Sequence, residues 1–172
     1  MSPRWITAAW CGLAAALLIA AALSSRWLVA DVAGLGASVS ARIGLTSVKV
    51  CASTLGDAQC QEVAWSQLPG QVEGSGWMWI GRATFALCLI AALGLIALGG
   101  MAVAELEVQL PIPAPRLVLW PCLALLPFIG AYYLFPPRAF SELAAGRGFA
   151  FGVVGGLLGA FAAWRQLKDD WR

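Results

Sequence analysis

The chain contains no histidine in 172 residues. That absence removes the usual general base, the commonest metal ligand and the ordinary catalytic triad together. Charge is also scarce: 12% of residues are charged, against about 25% in an ordinary soluble domain. Every Asp and Glu falls in a connection or tail outside the apolar runs, whereas a proton-coupled transporter normally keeps an ionisable group inside its bundle. There is no Gly-rich phosphate loop and no Cys-x-x-Cys pair. No catalytic residue, metal or cofactor is therefore expected. A net charge of +2 gives no footing for nucleic acid.

Apolar sequence fills the space that charge leaves. Hydrophobic residues make up 60% of the chain and the mean hydropathy is +0.79. A helix needs about 20 mostly apolar residues to cross a bilayer, and four stretches qualify. They run over about 5–24, 77–104, 117–135 and 149–164, the second interrupted only by Arg82. The first competes with a secretory signal peptide, because Arg4 precedes it and small residues lie near its end. Signal cores are typically only about 7–15 residues long, so a retained helix is the better reading. Unpaired backbone groups are intolerable in hydrocarbon, which makes these segments helices.

Four crossings put both termini on one side. The expected layout is a single integral membrane domain with a first loop at 25–76, a second at 105–116, a third at 136–148 and a tail at 165–172. The prolines at 111, 113 and 115 favour an extended strap in the second loop. Basic residues number five on the terminal side and six on the other, so a simple count does not orient the chain. The basic tail WRQLKDDWR favours cytoplasmic termini. So do the loop cysteines, since a disulfide needs an oxidising compartment. The expected location is the plasma (inner) membrane, with the long first loop extracytoplasmic.

That loop is the polar part of the chain. In SVSARIGLTSVKVCA, Val39, Ala41, Ile43 and Leu45 share one parity while Val48 and Val50 take the other. A period of two reads as strand, with a bulge or break near Thr46-Ser47. Gly56-Asp57 is a turn signal, and CQEVAW reads as the returning strand. Cys51 and Cys60 would then lie on neighbouring antiparallel strands, close enough for a structural disulfide. A loop this small cannot bury a core alone, so a staple makes physical sense.

The other cysteines, Cys11, Cys88 and Cys122, fall one to a span and read as small packing residues. In the fourth span, Gly152, Gly155, Gly156 and Gly159 form two overlapping small-xxx-small frames, which let helices approach through their backbones. Pro121 and Pro127 are expected to bend the third span. Trp27, Trp65, Trp77 and Trp79 read as interface anchors that seat the loop on the membrane.

Four spans, a long first outer loop, Trp27 at its start, Gly44-Leu45, and then Cys51 and Cys60 together resemble the claudin and peripheral myelin protein superfamily. Arg82 matches a basic residue that this family places just after the loop. The likeness implies a membrane α-helical fold: a left-handed four-helix bundle carrying a small extracellular antiparallel sheet stitched by Cys51–Cys60. It gives Trp27 a specific role, as a contact between sheet and bundle. Two departures stand out. Thr46 occupies the place of the motif's second tryptophan, and the ending KDDWR lacks the hydrophobic tail that junctional claudins present to scaffolds. Nine arginines to two lysines suit a GC-rich genome, which leaves a bacterial relative open.

By this resemblance the chain acts by contact rather than catalysis, in adhesion or a barrier, as a scaffold, or as an auxiliary subunit of a membrane complex. Its expected partners are the lipid bilayer and other membrane proteins, with a homo-oligomer among the options. Asp31, Arg42, Lys49, Asp57 and Glu62 are the loop charges available for contact. Two alternatives stay open: a four-helix membrane thiol oxidoreductase, and one subunit of an oligomeric pore. The first would relay electrons through two cysteine pairs, and only one pair lies in the outer loops.

Overall fold

The computed structural model describes residues 3–34, 37–54, 57–64, 76–104, 112–136 and 143–169. Four helices are long and apolar enough to cross a membrane: α1 (Pro3–Leu23), α2 (Gly76–Ala104), α3 (Ala114–Leu134) and α4 (Arg147–Asp169). They form a ring in which α1 and α3 each pack against both α2 and α4. Between α1 and α2 the chain builds β1 (Leu28–Gly34), β2 (Ala37–Ile43), β3 (Ser47–Thr54) and β4 (Asp57–Ala64). A two-residue strand, β5 (Ala144–Ala145), leads into α4 and completes an antiparallel sheet of order β4-β3-β2-β1-β5. The chain is thus a tetraspan membrane protein with its sheet at one end of an apolar bundle.

Helix boundaries differ from the sequence expectation where local chemistry decides. The second connection gives up its last residues to α3, because Pro115 sits in that helix's first turn. A helix's first N–H groups have no internal partner, so proline costs nothing there. The expected strap thus ends sooner, and Pro111 lies outside the described residues. Helix α3 continues through both Pro121 and Pro127. At the other end, the expected tail is helical as far as Asp169, where Lys168 lies over the ring of Trp164.

The parity switch at Thr46-Ser47 is a break rather than a bulge. Gly44 to Thr46 turn the chain, and the Gly44 N–H donates to the Ser47 carbonyl at 2.8 Å. In the β2/β3 register Ile43 faces Val48 and Ala41 faces Val50, so both parities end on one face of the sheet. Strands β1 and β5 carried no clear periodic signal. β1 pairs along its full length with β2, and β5 extends the sheet by only two rungs. Gly56, half of the expected turn signal, lies outside the described residues.

The core runs continuously from bundle to sheet. Cys11, Leu18, Ala91, Leu95, Cys122, Leu125 and Ile129 fill the bundle, and Trp27, Leu28, Ile43, Leu45 and Val48 carry the same core into the base of the sheet.

Candidate functional site

Alternation gives the sheet two unlike faces. On one lie Arg42, Lys49 and Glu62 in one cross-strand row, then Asp31, Ser40, Cys51 and Cys60 in the next. Cys51 and Cys60 are directly paired and joined by a disulfide, with Cα atoms 4.1 Å apart. The opposite face is mainly apolar: Leu28, Ile43, Val48 and Val63 form its first row, Ala30, Ala41 and Val50 lie in the second beside Gln61, and Val39 and Ala52 lie in the third beside Gln59. The first row is buried against the bundle from Leu28 to Val48. Farther from the seat, Val50 is 39% exposed and Val39 is 43% exposed.

The seat itself is aromatic. Trp27 is fully buried, and its indole N–H donates to the Ala21 carbonyl at the end of α1, at 2.6 Å. Its ring stands edge-on to Tyr132 of α3, with centroids 6.1 Å apart. Trp77, in the first turn of α2, stacks on the other side of Tyr132 at 4.5 Å and donates to its carbonyl at 2.8 Å. The Tyr132 hydroxyl in turn donates to the Gly44 carbonyl at 2.8 Å. Three helices therefore converge on the β2/β3 turn through one tyrosine. Buried indole and phenol groups require such partners, because an unpaired one forfeits about 1–3 kcal/mol.

This arrangement corrects one expectation. Trp27 is fully buried and Trp77 is 4% exposed; both belong to the seat, so neither is an interface anchor, and Trp27 takes the sheet-to-bundle role that the resemblance implied. Trp79 is 67% exposed and lies 5.5 Å from the guanidinium of Arg82, which suits an anchor. Trp65 lies outside the described residues. Gly44 and Leu45 are buried under the turn, and Gly81 brings α2 against it: a Cβ there would lie 3.2 Å from the Leu45 carbonyl oxygen. Arg82 follows on the exposed side of the helix.

The glycines of α4 each occupy space that a side chain would need. A Cβ at Gly152 would lie 2.8 Å from the Trp27 ring, and one at Gly155 would lie 3.0 Å from Leu18. At Gly156 the nearest atom is a Leu126 methyl at 3.3 Å, and at Gly159 the Cys122 sulfur at 2.9 Å. These are contacts within the bundle. Cys11, Cys88 and Cys122 are all buried, and no cluster able to hold a metal occurs among the described residues.

Of the loop charges, Asp31 and Glu62 are exposed, while Arg42 and Lys49 are half-buried rather than fully exposed. Glu62 accepts a hydrogen bond from the Ser47 hydroxyl at 2.9 Å. Asp57 pairs with Thr54 in the strand register, and its side chain lies outside what is described. Sequence reasoning missed Tyr132. Its only signal is a polar-tipped aromatic in an apolar span, a residue type that normally finds a partner when buried.

The chain matches no protein-family model and no curated protein. Function must therefore be read from the site.

Proposed function

We propose that this chain is a claudin-like tetraspan protein that works by contact, with its stapled sheet as the recognition surface and a second membrane protein as its partner. The observation that carries this reading is the second half of the sheet's apolar face, where Val39 and Val50 remain exposed beyond the bundle. A soluble edge strand or face of this kind is a liability unless something covers it. Continuity with the buried first row gives a partner a rigid, pre-formed surface, and rigidity lowers the entropic cost of binding.

The bundle holds the sheet at a fixed height above the lipid, so a partner anchored in the same bilayer meets it at high effective concentration. Disulfides persist in oxidising compartments, which supports a reading with the sheet outside and both termini in the cytoplasm. Catalysis has no part in this function. The role is that of a barrier or adhesion element, a scaffold, or an auxiliary subunit, and a second copy of the chain is one partner of the right kind.

The test places a photo-crosslinking amino acid at Val39 or Val50 in native membranes, with Leu157 on α4 as the lipid-facing control. A discrete protein adduct from the sheet positions, absent from the control, is expected. No adduct at either valine overturns the contact reading. A measurable thiol-oxidation activity, lost in a folded Cys51→Ser/Cys60→Ser chain, overturns it in favour of the oxidoreductase.

A further inference from the structure

Three arginines converge where the sheet meets the bundle. The Gly146 N–H donates to the Trp27 carbonyl at 2.8 Å and the Gly148 N–H to the Arg26 carbonyl at 2.9 Å. These bonds continue the β1/β5 ladder and set Arg147 alongside Arg26. Arg42 lies one strand over, opposite Val29. Repulsion from Arg147, and then from Arg42, lowers the pKa of Arg26.

Among the described residues no acid offsets this charge. Among the described residues none of the three arginines has an ion-pair partner. The nearest acid in the register, Asp31, lies diagonally across the strands from Arg42 and is exposed. Long side chains can span such a diagonal of about 7–8 Å, yet Asp31 and Arg42 form no ion pair. The first turn of α4 begins at Arg147 and contains no acidic residue. The α4 macrodipole adds further positive potential at the same place.

Depth selects the ligand. Arg26 lies three residues past Leu23, the last residue of α1, and Arg147 opens α4. Both therefore stand just beyond the hydrocarbon, in a headgroup layer several Å thick. Beneath Arg147, Phe149 and Tyr133 pack at 5.2 Å, an aromatic pair suited to that boundary. Planar guanidinium forks match phosphate oxygens in pairs.

We propose that Arg26, Arg42 and Arg147, with the N-terminus of α4, form a site for a phosphate anion at bilayer depth, supplied by the headgroup of an anionic phospholipid in the leaflet at the sheet end. Occupancy ties β1, β2 and α4 together at the rim of the Trp27 seat. The site is independent of any protein partner.

The full chain is reconstituted into nanodiscs containing equal amounts of phosphatidylglycerol and phosphatidylcholine, and the retained lipids are counted by native mass spectrometry. The chain is expected to retain phosphatidylglycerol preferentially. Each guanidinium on a phosphate is a charge-assisted contact worth about tenfold, so Arg26→Gln/Arg147→Gln should lower the ratio by roughly 100-fold. The double change Lys49→Gln/Arg82→Gln removes the same charge from the same end and should leave most of the preference intact. An unchanged ratio in Arg26→Gln/Arg147→Gln overturns the site, and so does an equal loss in the control pair. On the unaltered chain, the melting temperature should rise with the phosphatidylglycerol fraction. A rise with inorganic phosphate in pure phosphatidylcholine, and none with phosphatidylglycerol, overturns the lipid as the source.

Discussion

Leu28, Ile43 and Val48 lie on the same face of the same sheet as Val50 and Val39, yet the first three are buried and the last two are open. Nothing in residue type separates them. The difference is distance: same-face rows are about 7 Å apart along a strand, and the aromatic seat extends under only the first. The bundle therefore holds the sheet by its near edge and leaves the rest overhanging. What is structural and what is available for contact is decided by reach rather than by hydrophobicity.

The comparison breaks most severely at the seat. Replacing Trp27 with Ala removes a fully buried indole that touches α1, α3 and α4. Truncations of this kind cost about 3–5 kcal/mol. The expected result is a large fall in melting temperature in detergent, with the first apolar row newly open to hydrogen exchange. If the sheet stays protected, the seat is not what holds it.

The staple is expected to act on the other side of the comparison. Cys51 and Cys60 are paired one row beyond the first polar row, away from the seat. Loss of the bridge in Cys51→Ser/Cys60→Ser should cost roughly 2–3 kcal/mol, chiefly through the freedom regained by the unfolded chain. Exchange should rise in β3 and β4 while the helices keep their protection. Uniform loosening of the bundle would show that seat and overhang are one cooperative unit.

Packing beneath the seat comes next. A Leu at Gly152 must displace the Trp27 ring or Ile129, and overpacking of this sort costs about 1–3 kcal/mol. Gly100 has open space where its Cβ would go, so the same change there should have little effect. Equal melting temperatures for the two variants would deny that α4 sets the height of the seat. Tyr132→Phe is subtler. It keeps both ring contacts and removes only the hydroxyl bond to Gly44, a loss of roughly 1 kcal/mol.

These residues also show how far the sequence reaches. The spans are legible because crossing a bilayer imposes length and composition together. The pairing of Cys51 with Cys60 is legible because alternation and a turn signal set a local register. Tyr132 is not, since its partners Trp27, Gly44 and Trp77 lie 55 to 105 residues away and only the folded ring of helices unites them. Trp77 misleads for the same reason: an indole at a span's edge looks the same whether it faces lipid or a neighbouring ring. The Arg26–Arg147 neighbourhood depends on two rungs of β5, too short a strand to leave a periodic trace.

The smallest expected effect on stability is the most informative about function. Val50 makes no part of the seat and is 39% exposed, so Val50→Thr keeps the β-branched shape that a strand favours and adds one hydroxyl at a surface open to solvent. Stability should stay within about 0.5 kcal/mol of the unaltered chain, as for other exposed positions. The same change at Val48, which is 4% exposed, puts that hydroxyl into the core and should cost about 1–3 kcal/mol. A partner that covers the overhang must desolvate the Val50 hydroxyl too, so crosslinking from a probe at Val39 should weaken in Val50→Thr while the fold is unaffected. Were adduct yield to hold steady in Val50→Thr and fall only when the seat is damaged, the overhang would be mere excess sheet, and recognition would have to lie on the face that carries Arg42, Lys49 and Glu62.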